Sequence, residues 1–231
     1  ELKTPLTSIM MFAEMLKEGR LRSSEKVREY SRIIAAESQR LFRMITNVLD
    51  FARMEEGRKE FMKQRIDMRD VVNRSLAALS YHISSSGFRV ETKMPDSPAH
   101  VLADPDAMEQ VTVNLISNAI KYSDKEKWVG VRLEKRDSFV ILEVEDRGIG
   151  IPEGEKERIL ERFYRTGISR ASKRPGTGIG LNLVKTIVEA HEGRIEVESR
   201  LGAGSVFRVI LPAMEEKGDG ADSDSGCLLY T

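Results

Sequence analysis

Asn114-Leu-Ile-Ser-Asn118-Ala-Ile-Lys121-Tyr122 is the stretch on which the reading of this chain turns. It ends a helical pattern that runs from Pro105, with Asp104 placed to cap it and Pro105 at its first position. Asn114 and Asn118 are four residues apart and share one face; Lys121 and Tyr122 follow on or beside it. Two amide oxygens are hard ligands that suit a Mg²⁺ ion keeping water and phosphate as its other ligands. Alone, the same stripe reads as a solvated helix face. Two later stretches change that. Asp146-Arg-Gly148-Ile-Gly150-Ile151 puts a carboxylate at the end of an apolar strand, where it can accept from the exocyclic amine of adenine. Gly176-Thr177-Gly178-Ile-Gly180-Leu181 opens a helix with a glycine-rich loop suited to phosphate. Each has a bland reading, a capped turn and an ordinary loop. Together they are the parts of a Mg-ATP site built without a P-loop. A Rossmann site is rejected: the glycines are spaced Gly-x-Gly-x-Gly, and a basic loop, not a buried strand, precedes them.

Composition narrows the alternatives. The chain has 231 residues and zero formal net charge, without the basic excess of a nucleic-acid binder. Its single cysteine, Cys227, cannot form an internal disulfide, which suits a reducing compartment. No apolar run reaches the ~20 residues of a membrane span, so this segment is expected to be cytoplasmic, without membrane contact. Glu1 falls inside a helical pattern with no initiating Met, so further residues are expected upstream.

Residues 1–57 read as a helical hairpin. Leu2, Leu6, Ile9, Ala13 and Leu16 line one face of the first helix, and Val27, Tyr30, Ile34, Glu37, Leu41, Met44, Val48 and Phe51 form a heptad seam on the second. Gly19 to Ser23 makes the turn. Faces this apolar call for a second copy, giving a dimeric four-helix bundle. From about residue 58 to 213 strands and helices alternate as an α+β sandwich, helices on one face of a mixed sheet. Strands are expected at Phe61–Ile66, Arg89–Met94, Trp128–Lys135, Phe139–Glu145, Arg194–Ser199 and Ser205–Leu211. Helices are expected at Met68–Ser84, Pro105–Lys121 and Leu181–Ala190, the last closed by Gly193. Residues 153–175 read as a mobile lid carrying Arg165, Arg170, Lys173 and Arg174, and residues 214–231 as a disordered tail.

With Glu161-Arg-Phe163-Tyr164-Arg165 between the second and third stretches, the order and spacing resemble the N, G1, F and G2 boxes of sensor histidine kinases. Glu1-Leu-Lys-Thr4-Pro5-Leu-Thr7 resembles the H box of that family from the residue after its phosphoacceptor histidine. The resemblance implies a dimerisation and phosphotransfer hairpin at 1–57 and a Bergerat-fold ATP-binding domain at 58–213. It implies Asn114 and Asn118 on the Mg²⁺ side; Lys121, Tyr122 and Arg165 at phosphate or lid; and Asp146 at adenine. Gly148, Gly150, Ile151, Phe163, Gly176, Thr177, Gly178, Gly180 and Leu181 would line the pocket.

By the same resemblance, the γ-phosphoryl of ATP passes to a histidine just before Glu1, which acts as general base, with Lys121 and Arg165 stabilising charge. The phosphoryl then moves to an aspartate of a response-regulator receiver domain. Thr4, on the face of the missing histidine, either orients water for dephosphorylating that partner or is an ordinary helix residue. Pro5 is expected to bend the first helix. His82, His100 and His191 are expected to be structural or surface residues, with His100 just ahead of a strand and His191 at a helix C-terminus, capping carbonyls and favouring the dipole. The longer protein is free to be anchored in the plasma membrane. Two other readings stay open: a degenerate ATP-binding scaffold, and a clamp ATPase related to Hsp90, gyrase and MutL.

Overall fold

The computed structural model describes residues 3–18, 23–56, 58–123, 126–171 and 178–214. Two helices come first, α1 (Lys3–Lys17) and α2 (Ser24–Glu55), and pack along each other. Ser23 caps α2, its hydroxyl accepting from the Glu25 amide at 3.3 Å. Phe12 of α1 meets Tyr30 of α2 with ring centroids 5.0 Å apart. Tyr30, Ile34, Glu37, Leu41 and Met44 are half-buried, as the seam requires, and Pro5 is buried in the first described turn of α1. Leu6 of the expected first-helix face and Val27 of the expected seam are exposed instead, as are Met10, Met11, Phe42, Ile45 and Leu49. Leu2, the side chains of Val48 and Phe51, and the turn residues before Ser23 lie outside what is described.

The rest is a mixed sheet with helices on one face. Its elements are β1 (Gln64–Asp67), α3 (Met68–Ser86), β2 (Arg89–Lys93), β3 (His100–Ala103), α4 (Pro105–Tyr122), β4 (Trp128–Arg136), β5 (Phe139–Asp146), α5 (Gly167–Ala171), α6 (Gly180–Ala190), β6 (Arg194–Arg200) and β7 (Gly204–Pro212). The main sheet runs β2-β4-β5-β7-β6, with β2 parallel to β4 and the other pairs antiparallel. Alternation decides its faces. Val129, Val131, Leu133, Val140, Leu142, Val144, Phe207, Val209 and Leu211 point into the core. Arg132, Glu143 and Arg208 form an ionic ladder on the other side. α4 covers the apolar face with Met108, Val111, Leu115 and Ile116, and α6 with Leu183, Val184, Ile187 and Val188.

Four expectations are corrected. The first strand begins at Gln64, not Phe61, because Phe61 packs against His191 at 4.9 Å and Met62 donates its amide to Asp104. His100 lies within strand β3, paired with Asp67, not ahead of it. Gly193 does not take the left-handed turn after α6; Glu192 does, at φ 60°, while a Cβ on Gly193 would fall 2.6 Å from the Ile210 carbonyl oxygen. His191 does cap a carbonyl, Nδ1 donating to that of Ile187 at 2.7 Å, but Nε2 accepts from the Asp104 amide at 3.1 Å, so the ring brings no charge to the helix end. Burial holds its pKa below the ordinary histidine value, outweighing the bond to Ile187. Within the expected lid, residues 153–171 form two short 3₁₀ turns and α5.

Candidate functional site

The site lies where the C-terminal half of α4, the end of β5 and the start of α6 converge. Asp104 sets α4: Oδ1 accepts from the Asp106 and Ala107 amides at 3.0 Å each, and Pro105 begins the helix. Burying Leu115, Ile116, Ala119 and Ile120 against the sheet turns Asn114 and Asn118 to the flank. Asn114 donates Nδ2 to the Gln110 carbonyl at 2.9 Å, which leaves Oδ1 aimed at the start of α6, within 3.4 Å of where a Cβ on Gly180 would stand.

Asp146 ends β5 and is buried. Its Oδ1 accepts from the Gly148 amide at 2.8 Å. Burial nevertheless raises its pKa to about 6; the Gly148, Ser205 and Ser123 groups oppose that shift, and Glu145 adds to it. Ser123 Oγ is itself buried beside this carboxylate without completing a hydrogen bond. The turn after Asp146 is laced to its surroundings by backbone contacts. Ile149 donates to the Tyr122 carbonyl at 3.1 Å, Gly202 to the Ile149 carbonyl at 2.8 Å, and Ile151 to Ser199 Oγ at 2.8 Å. Gly148 is required because a Cβ there would strike the Tyr122 carbonyl, and Gly150, at φ 66°, because one would strike the Arg200 carbonyl. Both glycines admit protein backbone.

Lys121 Nζ lies 4.6 Å from the Tyr122 ring centroid, and the phenol approaches Ser169 of α5 at 3.5 Å. Burial opposes ionisation of this tyrosine, but Lys121, Ser169 and Arg165 outweigh it and hold its pKa below the ordinary value. Arg165 donates to the Ser169 carbonyl at 3.3 Å. Phe163 donates its amide to the Gly178 carbonyl at 3.1 Å from a left-handed backbone (φ 59°), with Gly178 at φ 73° against it. Among the described residues no side chain is seen to cap α6, whose first turn starts at Gly180 and Leu181.

These elements enclose a cavity of about 890 Å³. Of the residues picked from sequence, Asn114, Asn118, Lys121, Tyr122, Asp146, Gly150, Ile151, Arg165, Gly178, Gly180 and Leu181 line it. Gly148 and Phe163 do not; the Phe163 ring is 65% exposed, so that residue touches the site through its backbone. Thr4 is exposed on α1, while Glu1, Gly176 and Thr177 lie outside the described residues. So do Lys173, Arg174 and the side chain of Arg170. Sequence reasoning missed Ser123, Thr166, Ser169 and Ser205 in the lining, and also Leu79 and Phe88 from α3 and its exit. Adjacency to Tyr122 could have marked Ser123; Ser205 becomes visible only through its pairing with Asp146 across β5 and β7.

Residues 103–215 match the family model of the histidine kinase-, DNA gyrase B- and HSP90-like ATPases, and residues 1–57 that of the His kinase A phospho-acceptor domain. The chain belongs to the sensor histidine kinase family. WalK, a sensor protein kinase of Staphylococcus epidermidis, is 33% identical over 222 residues, which is 95% of this chain and 36% of that protein. Against WalK of Staphylococcus aureus the identity is 33% and the share of that protein 53%. This histidine kinase chain therefore spans about a third to a half of the curated relatives it matches. Among solved structures, the mycobacterial sensor histidine kinase MprB is 30% identical with a TM-score of 0.56, over 66% of this chain and 98% of that one.

Proposed function

We propose that the cavity binds Mg-ATP and that the chain is the core of a histidine autokinase. The observation that carries this reading is the convergence of Asn114, Asn118, Lys121, Asp146 and the first residues of α6 on one cavity. Buried Asp146 accepts from the exocyclic amine of adenine. The α6 N-terminus with Gly178 and Gly180 receives phosphate, aided by Lys121 and Arg165. Among the described residues no His, Cys, Asp and Glu group could hold a metal alone. The aimed Oδ1 of Asn114, with Asn118 beside it, fits a Mg²⁺ ion that takes its remaining ligands from phosphate and water. Bound there, the ion supplies charge neutralisation at the transferring phosphate.

Residues 1–57 serve as the dimerisation and phosphotransfer unit, 58–213 as the nucleotide unit, and 214–231 as a tail. The exposed apolar stripe of the hairpin supports pairing with a second copy into a four-helix bundle. A histidine preceding Glu1 in the longer protein attacks the γ-phosphorus. Its N–P bond forms as the bond to ADP breaks, and Glu1 takes the ring proton. The phosphoryl passes to an aspartate on a receiver domain, and Thr4 orients water when that aspartyl phosphate is hydrolysed.

Calorimetry of this chain with Mg-ADP tests the site. One site per chain is expected, weakened at least tenfold by Asn118→Ala or Asp146→Ala. Binding that is absent in the unaltered chain, or that both variants keep, overturns the reading.

A further inference from the structure

The end of α2 is tied to the nucleotide helices by a continuous set of contacts remote from the cavity. Asp50, near the last turn of α2, accepts at 2.9 Å from Nε2 of Gln110 on α4 and pairs at 2.8 Å with Lys59 of the connecting segment. The carbonyl of that same Gln110 holds Asn114 through its Nδ2. Asp50 therefore bears on α4 one turn ahead of the residue placed beside the metal. Further along the connection, Lys59 Nζ stands 5.6 Å from the Phe61 ring, and Phe61 meets His191 edge-on. His191, buried, holds the Asp104 amide with one ring nitrogen and the Ile187 carbonyl with the other. Asp104 Oδ1 caps α4 while its Oδ2 accepts from the Met62 amide at 2.9 Å. One short segment thus grips the N-terminus of α4 and the C-terminus of α6, the two helices whose opposite ends form the cavity.

We propose that Asp50, Lys59, Phe61 and His191 are positioning residues that set the hairpin and the nucleotide helices as one unit. The ends of the connection are packed: the Lys59 and Asp50 side chains are only 20% and 14% exposed, and Met54 packs against the core. A free linker would leave such ends in water. Turning α2 about its axis pulls on Gln110 directly and on both helix ends through the strap, so the hairpin's orientation changes the setting of Asn114 against Gly180. The functional half rests on reading the cavity as a nucleotide site; the mechanical half does not.

Amide hydrogen exchange on the whole chain separates the two. Without ligand, Lys59→Ala and Phe61→Ala are expected to exchange the last turns of α2 about tenfold faster than the unaltered chain, the loss of one charged hydrogen bond or buried ring contact. Lys59→Arg restores protection. With Mg-ADP, the unaltered chain gains protection at the end of α2 as well as at the cavity. Lys59→Ala binds Mg-ADP within threefold of normal yet shows no gain at α2. Unchanged ligand-free exchange in both alanine variants overturns the strap. A wild-type response to nucleotide in Lys59→Ala overturns the coupling. An unaltered chain that binds no Mg-ADP fails the cavity reading and the coupling with it, while the ligand-free arm still decides the strap.

Discussion

Asp146 is held in a form the folded chain disfavours. Its folded pKa, about 6, lies above the ordinary 3.8, so the folded state binds the extra proton. Its contribution to stability is fully present below about pH 4 and lost as pH rises through 6, at a cost of roughly 2 to 3 kcal/mol at neutral pH. Asp146→Asn should therefore melt at or above the temperature of the unaltered protein at pH 7.5 while losing nucleotide affinity about 10- to 100-fold. Lower melting with normal affinity would make Asp146 a structural cap. Ser123→Ala tests the neighbouring hydroxyl. Its hydroxyl completes no hydrogen bond and acts only by opposing the rise in the Asp146 pKa, so denaturant unfolding should shift by less than about 1 kcal/mol. His191 acts in the opposite sense. Its folded pKa lies below the unfolded value, so stability is full above about pH 6.5 and falls as pH drops below it. His191→Gln should flatten that acid slope in thermal melts, and an unchanged slope would contradict a neutral buried ring. The sequence displayed Asp146 because an acid at the end of a strand, followed by Gly148 and Gly150, is conspicuous. It hid the role of His191, whose partners Asp104 and Phe61 are far away along the chain.

At the scale of elements, α4 was legible almost to the residue. Its cap, its first proline and its apolar spacing all agree, and it runs to Tyr122, one residue past the expected Lys121. The hairpin β4–β5 was legible for the same reason, alternation on two adjoining strands. Loop glycines were legible as glycines but not in purpose. Gly150 and Gly204 let segments of protein backbone meet, which only the fold reveals: a Cβ on Gly204, at φ 102°, would press on the Asp146 carbonyl. Gly204→Ala should cost at least about 2 kcal/mol in unfolding free energy. Gly167→Ala, with open space around the added carbon, should stay close to neutral. Equal effects at both positions would remove the packing argument. The misplaced first strand has a similar cause. Phe61 reads as a strand residue by its apolarity, yet that apolarity serves the contact with His191.

Over the whole molecule, the division into an exposed apolar hairpin and a one-sided sheet followed from periodicity. The packing of the hairpin's end on α4 did not, because Asp50 and Gln110 are sixty residues apart in sequence. On the proposed pairing, Phe42, at 71% exposure, and Leu49, at 53%, belong to the face that meets a second copy. Replacing both with Asp should convert a dimer to monomers in light scattering while Mg-ADP affinity stays within about threefold, since neither touches the cavity. In the described residues no helix is long and apolar enough to cross a membrane. The decisive measurement joins hairpin to cavity. The longer protein, with its native residues ahead of Glu1, is incubated with γ-labelled ATP and Mg²⁺. The account predicts a protein-bound label that is acid-labile and base-stable and that disappears in Asn118→Ala and Asp146→Ala. Nucleotide binding without such a label would contradict a histidine kinase core.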